Sequence, residues 1–160
     1  VNEIKKFFNK TILLAGSISN GNDVAAAIQM GADLAWMGTR FINVEESLAD
    51  EKYKKMIIDS SAEDIVYTAA VSGVNASFLR SSLEAMGITE EMWSKTKKID
   101  FGSELDAAKA EAKAWKTIWS AGQGVTSINN VKSIKSLVSE LKKEFLLGLE
   151  RMKEVYKTYN

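Results

Sequence analysis

Two glycine-bearing turns offer the clearest chemistry, Gly16-Ser17-Ile18-Ser19-Asn20-Gly21 and Gly38-Thr39. Each follows a short apolar run, and glycine lets a backbone come close enough to an anion to point its N–H groups at it. In the first turn, Gly16 and Gly21 permit that approach. The helix expected to begin near Asn22 adds its positive end. In the second, Gly38 permits the approach and the Thr39 hydroxyl is a further donor. Such a cradle needs no lysine, because backbone donors alone can hold a phosphate. The same glycines also suit plain tight turns. Arg40 suits either a phosphate or a carboxylate partner. Ser120-Ala121-Gly122-Gln123-Gly124 reads as a helix end or as a third ligand-facing turn using the Gln123 amide. Trp36, Trp93, Trp115 and Trp119 suit core packing as well as stacking on a planar ring. The pairs Glu45-Glu46 and Glu90-Glu91 read as solvated helix starts, since adjacent residues do not face each other on a helix.

The elements that position these turns follow from hydrophobic patterning. Thr11–Ala15 is a continuous apolar run, expected as a strand buried on both faces. A helix capped by Asn22 or Asp23 runs to Met30 with Val24, Ala27 and Ile28 on its apolar face, and Gly31 sits at the left-handed C-terminal cap. Leu34–Met37 is a second buried strand. Strand, helix and strand with short loops make a parallel pair. Beyond residue 45 the pattern reads as largely helical. Glu45–Asp59 is charged and amphipathic, Ile65–Val71 is strand-like, Ser72–Asn75 is a turn and Ala76–Met86 is a helix. Residues 87–103 form a polar excursion, and 106–119 is a further helix. From Val131 to Tyr156, apolar residues from Ile134 to Met152 recur at spacings of three and four, predicting a long amphipathic helix.

Composition narrows the chemistry. The chain has 160 residues, 46% hydrophobic and 26% charged, a balance that builds the core of one ordinary domain. Lysine plus arginine and aspartate plus glutamate both number 21, which argues against a dedicated nucleic-acid or membrane-surface binder. Without cysteine or histidine there is no thiolate nucleophile, disulfide, Cys-ligated metal or imidazole base. No apolar run approaches the roughly 18–20 residues of a membrane span. A soluble, cytoplasmic chain is the expectation.

The strings themselves resemble a known family. Ile12–Phe41, ILLAGSISNGNDVAAAIQMGADLAWMGTRF, is similar to the flavin-phosphate-binding half of nitronate monooxygenases, formerly called 2-nitropropane dioxygenases. Glu45-Glu46-Ser47 and AWKTIWSAGQGV at Ala114–Val125 match further family strings. The glycine-rich β-α-β alone would also suit inosine-monophosphate dehydrogenase-like barrels; Met37–Phe41 together with Ala121–Gly124 favours the nitronate family. The resemblance implies an α/β fold, a partial (β/α)8 barrel contributing its last two parallel strands, with a mainly helical C-terminal region. Residues 1–45 would be the C-terminal β-α-β of an FMN-binding barrel, and 46–160 the helical region that completes and extends it. It implies an FMN-dependent oxidoreductase acting on alkyl or propionate nitronates with oxygen. Gly16, Ser17, Trp36, Met37, Gly38 and Thr39 fall on the family's FMN contacts. Ser17 stands where the family has a second glycine, and Trp36 where it often has glutamine.

The family's ring-holding strands and its usual catalytic histidine lie upstream of the matched region, so no residue of this chain is nominated as acid or base. The resemblance also admits a flavin-dependent enoyl-acyl carrier protein reductase, which shares barrel and phosphate site. From a different class, the chain suits a non-catalytic phosphate- or nucleotide-binding or assembly module. Two parallel strands cannot bury both faces unaided. The expected partners are therefore a small-molecule substrate and either a second copy or the missing barrel half.

Overall fold

The computed structural model describes residues 1–71, 73–94 and 117–159. They fall into two compact units, Val1–Leu48 with Ser127–Asn160, and Ala49–Thr126. The long C-terminal helix thus groups with the β-α-β segment.

In the first unit a short helix α1 (Asn2–Lys5) precedes β1 (Leu13–Ala15), α2 (Gly21–Gln29), β2 (Leu34–Trp36) and α3 (Thr39–Ile42). The strands are parallel, with Leu13 opposite Leu34 and Ala15 opposite Trp36. Asp33 fixes the start of the pair. Its carboxylate accepts the Ile12 N–H at 2.8 Å, and its own N–H donates to the Ile12 carbonyl. Burial on both faces does not hold. Leu13, Leu34 and Trp36 are 44%, 53% and 60% exposed. Side chains alternate along a strand, so these three share one exposed sheet face with Ala15.

Helix α2 begins earlier than its sequence suggests. Asn20, in extended conformation, is the cap rather than Asn22 or Asp23: its side chain accepts the Asp23 N–H, and the Asp23 carboxylate accepts those of Ser19 and Asn20. Its buried residues are Gly21, Ala25 and Ala27, while Ile28 is largely exposed. The apolar stripe is displaced because α2 packs against the final helix, α7 (Ile134–Tyr159), where small residues are needed. A Cβ on Gly148 of α7 would lie 3.1 Å from that of Ala25. Gly31 takes the left-handed conformation expected of it, φ +97°. Helix α7 starts at Ile134, whose N–H donates to the Glu46 carboxylate at 2.9 and 3.0 Å. Glu46 is therefore a tertiary cap rather than a solvated helix start, and Glu45 likewise precedes no helix. Leu137 of the predicted stripe is buried, but Leu149 and Met152 are exposed.

The second unit contains α4 (Glu51–Asp59), β3 (Ile65–Thr68), β4 (Ala76–Leu79), α5 (Arg80–Ala85) and α6 (Glu90–Trp93). The strands pair antiparallel, Ile65 opposite Leu79 and Thr68 opposite Ala76. This hairpin corrects the largely helical reading of this region. Ala76–Met86 splits into strand and helix because Val66 and Phe78, directly opposite, both bury into the unit's core with Leu83, Ile88, Trp93 and Ile118. Cross-strand burial outweighs the weak local helix preference of four residues. Gly73, at φ +79°, lies in the predicted turn. Residues 95–103 of the polar excursion, 106–116 of the predicted helix and Trp115 lie outside the described residues.

Trp119 stacks on Tyr53, ring centroids 5.0 Å apart, and the Tyr53 hydroxyl donates to the Ser120 carbonyl. Burial raises the Tyr53 pKa above its ordinary 10.0, the Ser120 side chain opposing. The unfolded chain therefore loses this proton first. The stabilisation is complete below pH 10 and declines as pH rises through the folded value. Tyr53→Phe is expected to cost about 1 kcal/mol at neutral pH, the worth of the hydrogen bond. Urea unfolding should show that gap narrowing above pH 10; a gap unchanged there would remove Tyr53 titration from the account.

Candidate functional site

The register that sets Ala15 opposite Trp36 brings both strands to an end at the same level. Gly16-Ser17 and Met37-Gly38-Thr39 therefore leave neighbouring strands, about 4.8 Å apart, at one rim. Gly16 and Ser17 are consecutive left-handed residues, φ +100° and +53°. That geometry turns the chain sharply off β1. Gly38 has an ordinary negative φ, −95°, and is the residue before α3, which opens with Thr39. A Cβ built on either Gly16 or Gly38 meets nothing within 4 Å. Open space thus faces both turns. Met37 and Thr39 are half-buried, whereas Trp36 stands on the exposed sheet face beside the rim.

The other part of the expected cradle is spent internally. The Gly21 N–H donates to Glu144 Oε2 of α7 at 2.7 Å. A Cβ on Gly21 would lie 2.1 Å from the Leu141 carbonyl oxygen and 2.5 Å from the Phe145 nitrogen. Gly21 thus serves close helix packing, and the positive end of α2 is met by Asn20, Asp23 and Glu144. A carboxylate from within the chain sits where a ligand anion was expected. Glu144 escaped sequence reading because a glutamate on an amphipathic helix among lysines looks solvated. The one hint was its position seven residues after Leu137, on the buried side of the helix.

Ser17 supplies what a second glycine would, at a cost, since non-glycine residues resist the left-handed region. Ser17→Gly is expected to stabilise the chain by about 1 kcal/mol in urea unfolding. A loss of stability instead would show that the serine hydroxyl holds the turn.

Arg40 follows the second turn, yet its side chain is only 5% exposed. Burial lowers its pKa, while the charges of Glu140 and Glu144 oppose that shift. Ser120–Gly124, in the second unit, is neither a plain helix end nor an open turn: Ser120 bridges Phe78 in antiparallel fashion, Gln123–Ser127 forms a 3-10 helix whose Val125 N–H donates to the Gly122 carbonyl, and Gln123 is exposed. Among the described residues no group of acidic side chains could hold a metal ion, and no helix is long and apolar enough to cross a membrane. The rim is built of backbone amides, a set suited to holding an anion rather than to moving protons.

Residues 1–144 match the family model for nitronate monooxygenase. The chain belongs to the nitronate monooxygenase family. It is 30% identical over 149 residues to a nitronate monooxygenase of Paraburkholderia phytofirmans, a match covering 89% of this chain and 40% of that protein. A probable nitronate monooxygenase of Staphylococcus aureus is 40% identical over 62 residues, covering 39% of this chain and 18% of its own. Among solved structures, FabK from Thermotoga maritima superposes with a TM-score of 0.72 at 28% identity, covering 96% of this chain and 50% of that one. Nitroalkane oxidase from Streptomyces ansochromogenes gives 0.67 at 26% identity, covering 93% and 43%. This family member thus spans half or less of the length of these relatives. Its fold is α/β, a partial (β/α)8 barrel with two parallel strands and a C-terminal region rich in helix.

Proposed function

We propose that this chain is the phosphate-anchoring part of an FMN-dependent nitronate monooxygenase. The N–H groups of Gly16, Ser17, Gly38 and Thr39 would hold the 5′-phosphate, with Trp36 and Met37 beside the cofactor. The supporting observation is the pair of turns at one rim, each facing open space. When bound, the flavin supplies the redox chemistry, oxidising a nitronate with oxygen as final acceptor. The chain's own residues bind and orient; none of them is assigned a proton transfer.

The exposed face of Leu13, Leu34 and Trp36 supports association with a second copy, or with a polypeptide that supplies further barrel strands. Sedimentation equilibrium of the chain should show self-association, or dye binding should report the apolar face. A compact monomer that binds no hydrophobic dye would count against this. A cytoplasmic location belongs to the same proposal.

Flavin fluorescence titration tests the anchoring. FMN should bind weakly, because half the contacts are absent, but at least tenfold better than riboflavin, which lacks the phosphate. Equal affinities would overturn the assignment of the rim. The likeness to FabK supports a second reading, a flavin-dependent enoyl-acyl carrier protein reductase. Oxygen uptake with an alkyl nitronate, set against nicotinamide-dependent reduction of an enoyl thioester, separates the two in the assembled protein. Binding without either activity would favour a phosphate- or nucleotide-binding module.

A further inference from the structure

A polar cavity of about 290 Å³ lies in the first unit, between the start of α2, the first half of α7 and the segment around Asn129. Gly16, Ser17, Gly38 and Thr39 do not line it. Two lysine or arginine side chains and two glutamates do. Lys132 is paired with Glu140, and Glu144 accepts the Gly21 N–H. Arg40 is different. It is 95% buried by its 5% exposure, and its Nη1 is enclosed without a hydrogen-bond acceptor among the described residues. A buried guanidinium is among the costliest groups to leave unmet, and its planar fork suits a carboxylate.

We propose that this cavity binds a small polar monocarboxylate, with its carboxylate directed to Arg40. Charge selects the class. The wall carries two positive and two negative side chains, which balance, so a zwitterion adds no net charge and a monoanion only one, whereas a dianion such as phosphate adds two and is repelled most strongly by Glu140 and Glu144. The polar lining selects it further. Asn22, Ser127 and Asn129 line the space with only Leu137 and Leu141 as apolar residues, which suits a ligand carrying a hydroxyl or ammonium group beside its carboxylate. The volume holds such a molecule and a few waters, at about 30 Å³ each.

Calorimetric titration of the chain with glycolate, glycine and inorganic phosphate tests this. Glycolate or glycine should bind saturably in the millimolar range, and phosphate should not compete. Arg40→Gln should weaken binding at least tenfold. Because removing a buried charge changes the fold's balance, Asn129→Leu provides a second variant; it fills the cavity from an exposed position, leaves Arg40 in place, and should also abolish binding. The inference is overturned if neither carboxylate binds, which would mean that internal water satisfies the guanidinium. Binding that survives both variants would overturn it equally. FMN titration of the same variants keeps this result separate from the rim.

Discussion

Gly38→Leu is expected to lower FMN affinity by roughly tenfold to a hundredfold while leaving the stability of the fold unchanged. The magnitude is that of one charge-assisted hydrogen bond, about 1.5–3 kcal/mol. The separation of binding from folding follows from the local geometry. Gly38 has φ −95°, open to any residue, and an added Cβ would touch no protein atom within 4 Å. The new side chain would therefore occupy only the space assigned to the phosphate. Gly16 gives no such clean test, because φ +100° strains any substitution regardless of space. Fluorescence titration with FMN and riboflavin, beside urea unfolding, measures both quantities. Unchanged FMN affinity would remove the second turn from the site.

Gly21→Ala is expected to do the reverse. The added methyl would sit 2.1 Å from the Leu141 carbonyl oxygen, 2.5 Å from the Phe145 nitrogen and 2.6 Å from the Glu144 Cβ. Two of these atoms are helix backbone, so α2 and α7 must move apart, and the Gly21 N–H to Glu144 bond is strained or lost. Overpacking of this kind costs about 3 kcal/mol or more, which lowers Tm by roughly 6–12 °C in a chain of this size. Gly148→Ala faces Ala25 Cβ at 3.1 Å, which moves only with its backbone, and Asn22 Oδ1 at 3.4 Å, which can rotate away; a shift of a few tenths of an ångström relieves both, and the change should cost about 1 kcal/mol. Thermal unfolding of the two variants side by side checks the contrast. A Gly21→Ala chain as stable as the parent would mean that the two helices do not pack through this glycine.

These two glycines show what could be read in advance. The rim was legible because a strand, a glycine turn and a helix in succession impose their own connectivity: Gly31 stops α2, and β1 and β2 pair in parallel as patterning requires. Which glycines face a ligand was not legible. Gly16 and Gly21 bracket the same loop, and nothing local separates one that opens on free space from one pressed against α7. The first strand of the β3–β4 hairpin and its turn were legible, but β4 was hidden for a related reason. Ala76–Leu79 carries no strong strand signature, and it becomes a strand only where Phe78 meets Val66 across the pair.

Local sequence alone determined the order of elements in the first unit, the absence of thiol and imidazole chemistry, and the family, since these depend on residue identity and short-range spacing. Tertiary structure alone decided that Glu144 rather than a ligand meets α2, that Glu46 caps α7, and that Arg40 is enclosed beside a cavity. The Glu46–Ile134 and Gly21–Glu144 bonds join residues 88 and 123 positions apart in the chain. Hydrogen bonding and desolvation act through space, and no periodicity along a chain records which distant carboxylate will arrive.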